Sequence, residues 1–289
     1  MLLIIYIAIG LIIGPSSLNL PGNELLFGLC AQGFLLVAGL ELSLKHLKTH
    51  LPAAAKIALG AFAVPFLVGL LAAPFISENT SSAVIIALAL SISALPVIVQ
   101  ILKDLKIYDT KVGHLIVSAA TICDILAWAI FLCVIPAENR HTWIKSHWPI
   151  LFFFVGIGIS GWVHRFPNLL AGLLKVSQWL FAPVFFISVG MKIHFQENFS
   201  WEQFLFVLAL AIFSKVVGVY GVARWAKHTK SDSFLMAVVL NARGAMEVLY
   251  ASLALSLGMI NETLFTSLVL MAVVSSIMAA PAARHWRSV

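Results

Sequence analysis

Long runs of apolar residues, separated by short polar segments, follow one another along the whole chain. Each run has about 20 residues, the length that a helix needs to cross the roughly 30 Å hydrocarbon core of a bilayer. Polar and apolar residues do not alternate within the runs, so a β-barrel is not indicated. The pattern predicts ten helices, at 1–15, 23–44, 52–76, 81–103, 111–136, 148–165, 168–191, 201–226, 232–258 and 261–283.

Composition supports a membrane protein. Of 289 residues, 61% are hydrophobic and 10% are charged, and the mean hydropathy is +1.03, far from the values of a soluble domain. The first run has no basic start and no small-residue cleavage site, which favours a span over a removed signal peptide. We therefore expect an all-α polytopic membrane protein, with a single transmembrane domain over residues 1–289 and no soluble domain.

Basic residues are distributed unevenly between the two sides of the predicted helices. The odd-numbered connections contain Arg140, Lys145 and Lys192, whereas the even-numbered connections and both ends contain Lys45, Lys48, Lys103, Lys106, Lys111, Arg165, Arg224, Lys227, Lys230, Arg284 and Arg287. Cytoplasmic loops of membrane proteins are rich in Lys and Arg. The distribution predicts that both termini are cytoplasmic, in an inner or plasma membrane. It also explains the net charge of +6, so the lipid bilayer and not nucleic acid is the expected partner.

Cysteine usage indicates no special chemistry. Cys30, Cys123 and Cys133 all fall inside apolar runs, which predicts buried free thiols and neither a disulfide framework nor a metal site. No cofactor is expected. The sequence also lacks a nucleophile–base arrangement, a phosphate-binding loop and metal-ligand spacing, so nothing in it indicates an enzyme.

Two predicted helices contain residues that interrupt a helix. In the fourth, Pro96 follows a Ser-rich stretch, and proline removes a backbone donor and clashes one turn back, which frees carbonyls near Ile92 and Ser93. In the ninth, the run LNARGAMEVL places Asn, Arg, Gly and Glu at mid-span. Interrupted helices at membrane depth line cavities or are packed in protein, and in transporters they form the substrate and ion sites.

Asp124, Lys215, Arg243 and Glu247 are ionisable residues inside apolar runs. A carboxylate at the bilayer centre costs on the order of 3 kcal/mol, so such a residue is retained where it is used or paired. Together the four indicate a polar path for a small cation or a proton.

Each of these residues has a structural and a functional interpretation. Asp124 is either part of an ion pair or hydrogen bond, or a carboxylate that binds a cation and a proton in turn, because burial disfavours its charged form. Lys215 lies too deep in its helix for its side chain to reach the membrane surface. It either acts as a structural cation, which stabilises broken-helix ends or pairs with an acid, or it carries a proton. Arg243 and Glu247 are four residues apart and can pair on one helix face; alternatively, Glu247 faces the ion path.

Seven segments, in order, resemble the monovalent cation/proton antiporters, in the branch that includes Kef-type potassium efflux systems and plant cation/proton exchangers. They cover most of the chain: GLIIGPSSLNL, FLLVAGLELSLKHLK, ALSISALPVIVQILKDLKI, ICDILAW, FAPVFFISVGMKI, SKVVGVYGVARW and LNARGAMEVLYASLALSLGMI. The resemblance implies exchange of Na⁺ or K⁺ for H⁺. It also implies a core bundle, in which two broken helices cross near the bilayer centre, and a second bundle that forms a homodimer interface and against which the core moves.

The resemblance also implies roles for individual residues. Asp124 falls on the family's ion-binding aspartate, and Ser93 falls in the unwound helix near the site. Lys215 falls on the basic residue of a later core helix, and Arg243 and Glu247 fall in the motif that follows it. These three residues are expected to be supporting charges.

Three features depart from the family pattern. Cys123 precedes the aspartate, where many sodium-type members have a second aspartate, so we expect Cys123 beside the ion and electroneutral one-for-one exchange. The chain begins at what resembles the family's second helix. The segment between Asp124 and Pro183 is about half the usual length, so two helices of the dimer-side bundle are expected to be missing.

Two other functions remain open from the sequence. A sodium-coupled symporter of organic anions has a related fold with crossed broken helices, and Arg243 would be its basic anchor. A non-transporting membrane subunit or remnant is the other alternative, because helices are expected to be missing.

Overall fold

A computed structural model describes residues 2–14, 24–41, 44–77, 80–135, 140–194 and 197–288. In these residues the chain forms helices and no strands. The first matching motif continues into residues 15–20, which lie outside the described residues. The helices are α1 (Leu2–Ile13), α2 (Glu24–Glu41), α3 (Leu44–Ala72), α4 (Thr80–Ser91), α5 (Leu95–Asp104), α6 (Lys111–Val134), α7 (Arg140–Val163), α8 (Pro167–Val176), α9 (Ala182–Met191), α10 (Trp201–Trp225), α11 (Lys230–Leu240), α12 (Ala245–Ser256) and α13 (Glu262–Ser288).

Each of the ten predicted segments contains helix, and the all-α polytopic class is confirmed. The fourth and ninth segments are each divided in two, and a π-helical turn at Ser177–Phe181 joins α8 to α9. Within the described residues, six helices are long and apolar enough to cross a membrane, or seven if α11 and α12, bent by 42°, form one span. This number is below ten because α1 has 12 residues and the apolar parts of α2 and α7, Leu25–Glu41 and Ile150–Val163, are also short.

The helices fall into two compact units. Unit 1 contains residues Met1–Lys45 and Leu132–Asn198, and unit 2 contains His46–Phe131 and Phe199–Val289. Two units agree with the two bundles that the resemblance implies. The expectation of a single transmembrane domain over 1–289 stays a prediction.

Glycines allow close helix packing in unit 1. A Cβ at Gly39 of α2 would meet the carbonyl of Phe153 in α7, and one at Gly156 would meet the carbonyl of Leu36. The two backbones are therefore in direct contact, as in other membrane helix pairs with small residues at the interface. Phe34 adds a stacked ring contact with Phe185 of α9.

In unit 2, α3 and α10 also meet backbone to backbone. A Cβ at Gly218 would meet the carbonyl of Gly60, and a Cβ at Gly60 would meet that of Gly218. Helix α13 packs against α10, α11 and α12. All the predicted site residues belong to unit 2.

The prediction of buried thiols is wrong for Cys133. Cys30 and Cys123 are buried, whereas Cys133 is exposed on α6. An apolar run identifies a helix that lies in the membrane, and the outer surface of such a helix faces lipid. The sequence pattern therefore does not distinguish a residue packed in protein from one exposed to hydrocarbon.

We predict that Gly218→Val destabilises unit 2, because its side chain has no space between α10 and the carbonyl of Gly60. Overpacking of this kind costs about 1–3 kcal/mol. Thermal unfolding in detergent, followed by tryptophan fluorescence, should show a lower midpoint. Gly221→Val is the matched control on the same helix, because nothing lies within 4 Å of a Cβ at Gly221. Equal midpoints for the two variants would contradict the close contact.

Candidate ion site

The first helix break lies between α4 and α5. Helix α4 ends at Ser91, α5 begins at Leu95, and Pro96 occupies the first turn of α5. Proline is tolerated in a first turn, but it has no N–H to donate to the carbonyl four residues earlier, which is that of Ile92. The predicted break at Pro96 is therefore confirmed, and the last carbonyls of α4 lack helical partners.

The second break, between α11 and α12, crosses the first. Helix α11 ends at Leu240 and α12 begins at Ala245. The backbone N–H of Ala94 donates to the carbonyl of Ala242 at 2.9 Å, and the hydroxyl of Ser93 donates to the carbonyl of Leu240 at 3.0 Å. The unwound segments thus satisfy some of each other's backbone groups inside the protein.

Lys215 of α10 caps the end of α4. Its side chain is fully buried, and its Nζ donates to the carbonyls of Ser91 at 2.6 Å and Ile92 at 2.7 Å. These are short, charge-assisted hydrogen bonds. Of the interpretations open from the sequence, the contacts are those of a cation that stabilises a broken-helix end.

Arg243 caps the preceding turn of the same helix. Its Nη1 donates to the carbonyl of Ala89, and its Nη2 donates to that of Leu90 at 2.6 Å and more weakly to that of Ala211 at 3.4 Å. Carbonyls 89 to 92, at the negative end of the α4 dipole, therefore all bind a cationic donor.

Glu247 forms the predicted pair with Arg243. Oε1 of Glu247 lies 3.3 Å from Nη1 of Arg243, and both side chains are fully buried. The distance is longer than the 2.7–2.9 Å typical of charge-assisted hydrogen bonds. Oε2 of Glu247 has no hydrogen-bond partner among the described residues.

Asp124 lies beside the break between α4 and α5. Its side chain is 1% exposed. The backbone N–H of Ser93 donates to the carboxylate, and the charge of Lys215 acts on it. Its Oδ1, however, has no hydrogen-bond partner within the described part of the chain. A buried carboxylate with an unsatisfied oxygen can be satisfied by a proton or by a cation.

Cys123 faces another element. Its Sγ is 3.9 Å from the carbonyl of Ala58 in α3. The charges of Lys215 and Asp124 also act on this thiol. The expectation that Cys123 lies beside the ion stays a prediction.

Several buried oxygens in unit 2 were not found from the sequence. The oxygens without a hydrogen-bond partner in the described residues are Ser118 Oγ, Asp124 Oδ1, Ser214 Oγ, Asn241 Oδ1, Glu247 Oε2, Tyr250 OH, Thr266 Oγ1 and Ser267 Oγ. Oxygen atoms are the ligands that replace the hydration shell of alkali cations. Of these eight, Asp124 and Glu247 are predicted site residues, and Asn241 had a sequence signal because it lies in the polar run of the ninth predicted helix. The other five had none.

Comparison with known proteins identifies relatives along nearly the whole chain. The family model described as "Sodium/hydrogen exchanger, transmembrane" matches residues 2–177 and 142–284. Cation/H(+) antiporter 17 of Arabidopsis thaliana is 25% identical over 94% of this chain and 43% of its own length. The Na(+)/H(+)-K(+) antiporter GerN of Bacillus cereus is 24% identical over 96% of this chain and 87% of its own length.

A solved structure has the same fold. The structure of the sodium proton antiporter MjNhaP1 from Methanocaldococcus jannaschii at pH 8 matches with a TM-score of 0.66 and 12% identity, covering 99% of this chain and 90% of that one.

The chain is short beside these relatives. It spans 43% and 44% of the length of two plant relatives that it matches. The alignment with antiporter 17 runs over 356 positions, more than the 289 residues of the chain. That relative therefore has segments with no counterpart here. The two stretches matched by the family model share residues 142–177, which lie in the region where the sequence predicts missing helices. The missing helices stay a prediction.

We predict that Lys215→Met destabilises the protein by about 2–4 kcal/mol, because it leaves two buried carbonyls without donors. The midpoint of thermal unfolding in detergent measures the loss. Lys111→Met, at an exposed lysine, is the control and should change little. A midpoint for Lys215→Met equal to that of the control would show that these carbonyls need no cap.

Ser93→Ala should cost about 1 kcal/mol, the usual contribution of one hydrogen bond, since it removes the bond to the carbonyl of Leu240. Ser256→Ala removes a comparable hydroxyl bond at an exposed position and should have a smaller effect. Denaturant unfolding of both variants tests the difference. An unchanged free energy of unfolding in Ser93→Ala would mean that this hydroxyl does not help to hold the two unwound segments together.

Proposed function

Because the chain belongs to the sodium/hydrogen exchanger family, we propose that it exchanges a monovalent cation, Na⁺ or K⁺, for a proton across the membrane. Relatives that match more than nine-tenths of this chain include antiporters named for Na⁺ and for K⁺. The family consists of transporters, and we propose transport for this chain as well. The bound species in this proposal are a proton or a cation, each held in turn by Asp124.

The carboxylate of Asp124 is the observation that carries this proposal. It is buried next to the break between α4 and α5, it receives the amide of Ser93, and Oδ1 has no donor among the described residues. A carboxylate in this state gains from binding either H⁺ or an alkali ion, and one oxygen cannot hold both. Such exclusive binding couples the two ions without further machinery.

Charge counting supports an electroneutral cycle. A proton and a monovalent cation each add one positive charge to Asp124. The two loaded forms therefore carry the same charge, whatever the other buried groups carry. Cys123, at the position where a second acid occurs in many relatives, adds no charge to this count.

Lys215 and Arg243 support the site as fixed cations in this proposal. Each is bound to the carbonyls at the end of α4, so their nitrogen atoms stay in place while Asp124 changes its occupant. Ser93 supplies a backbone amide to the carboxylate. Preorganised dipoles and charges of this kind lower the cost of exchanging one occupant for another.

We also propose the setting in which the exchanger works. The chain forms a homodimer in the cell membrane, with both termini on the cytoplasmic side. The asymmetry of the basic residues supports this orientation, and the division into two units supports a core and a dimer-side bundle.

An organic-anion symporter is a weaker candidate. In that function Arg243 would anchor the carboxylate of the substrate. Both Nη atoms of Arg243 already donate to protein oxygens, and the side chain is fully buried. The guanidinium is thus committed to the fold.

We predict that Asp124→Asn abolishes exchange while leaving membrane insertion intact, because an amide cannot bind a proton and a cation in turn. Everted vesicles with a pH-sensitive dye, pulsed with NaCl or KCl, measure the exchange. Asp109→Asn, the same change at an exposed position, is the control and should retain it. Exchange at the wild-type rate in Asp124→Asn would exclude this carboxylate as the site, and no exchange in folded wild type would favour a non-transporting subunit.

A further inference from the structure

Glu247 is a second buried acid that exchange at Asp124 does not require. It lies in the first turn of α12, and its side chain is fully buried. Its only hydrogen-bond contact among the described residues is the 3.3 Å contact with Nη1 of Arg243, and Oε2 has none. An ionised carboxylate buried in this way would be poorly compensated, because it needs good geometry and several donors.

Arg243 cannot compensate Glu247 well, since its strong hydrogen bonds go elsewhere. Nη1 donates to the carbonyl of Ala89, and Nη2 donates to that of Leu90 at 2.6 Å. These bonds hold the last turn of α4. The contact with Glu247 is single and long by comparison, so it would compensate an ionised carboxylate poorly.

The surroundings of Glu247 exclude a metal cation. The charged groups that act on it are Arg243 and Lys215, both positive. Helix α6 contributes Asp124 and Cys123, which interact with Lys215. Helix α4 has no titratable residue, and the described titratable residues of α13, Glu262 and Arg284, stand near its two ends. An alkali ion at Glu247 would be repelled by the guanidinium, whereas a proton on Oε2 removes the charge that burial penalises.

We propose that Glu247 is a second proton-binding residue of unit 2, separate from Asp124, which holds its proton while Arg243 caps α4. When Glu247 ionises, its attraction for the guanidinium competes with the carbonyls of Ala89 and Leu90. The cap of α4, next to the break that presents Ser93 to Asp124, is then weakened. Glu247 acts as a positioning residue, and its effect on exchange rests on the proposed function.

Infrared spectroscopy tests the bound proton without any transport assay. In purified Asp124→Asn protein near pH 6, exposed carboxyls are already ionised, so a protonated-carboxyl carbonyl band is expected from Glu247. The band should be lost in Asp124→Asn/Glu247→Gln and kept in Asp124→Asn/Glu202→Gln, because Glu202 is exposed. Absence of the band in Asp124→Asn, or its survival in the Glu247 double variant, would overturn the proposal.

The pH profile of exchange tests the consequence. Glu247→Gln cannot ionise, so the decline of exchange at alkaline pH should shift to higher pH than in wild type. An unchanged pH profile in Glu247→Gln would overturn the proposal that ionisation of Glu247 weakens the cap of α4. If the wild type shows no exchange but the infrared band is assigned to Glu247, the proposed function fails and the proton site stands.

Discussion

Four successive buried carbonyls at the end of α4 and just after it, those of Ala89 to Ile92, have no helical partner, and much of unit 2 follows from this requirement. Neutral donors would satisfy them one at a time, but the structure uses two cations, Lys215 and Arg243, that bind two carbonyls each. The cations also face the negative end of the helix dipole. Pro96 removes the helical donor for the carbonyl of Ile92. The other unwound residues of the break leave the carbonyls of Ala89, Leu90 and Ser91 without helical donors as well.

Placing two fixed cations in an apolar interior makes it possible to keep acids there. Asp124 and Glu247 are both buried, and each has one oxygen without a hydrogen-bond partner in the described chain. Their neighbours distinguish them. Asp124 receives a backbone amide beside an unwound segment, whereas Glu247 lies against a guanidinium. One oxygen without a hydrogen-bond partner therefore suits an exchangeable ion at Asp124 but only a proton at Glu247.

The sequence predicts the features that depend on local chemistry. Proline lacks an N–H wherever it occurs, so the break at Pro96 is visible in the sequence, and the spacing of Arg243 and Glu247 predicts their pair. The partners of Lys215 are different, because Ser91 and Ile92 are more than a hundred residues away and meet it only where α10 packs against α4. The exposure of Cys133 could not be predicted from the hydrophobic pattern either, because lipid and the protein interior favour similar residues.

The contacts through Gly60 and Gly218, and through Gly39 and Gly156, have a mechanical consequence. Where two backbones touch directly, no side chain lies between them that could change rotamer to accommodate sliding. Such a helix pair either stays in register or separates, and separation forfeits close-packed contacts. Each unit is therefore stiff along these pairs. We therefore expect deformation within unit 2 at its two unwound segments, where the polypeptide has the fewest helical hydrogen bonds to break.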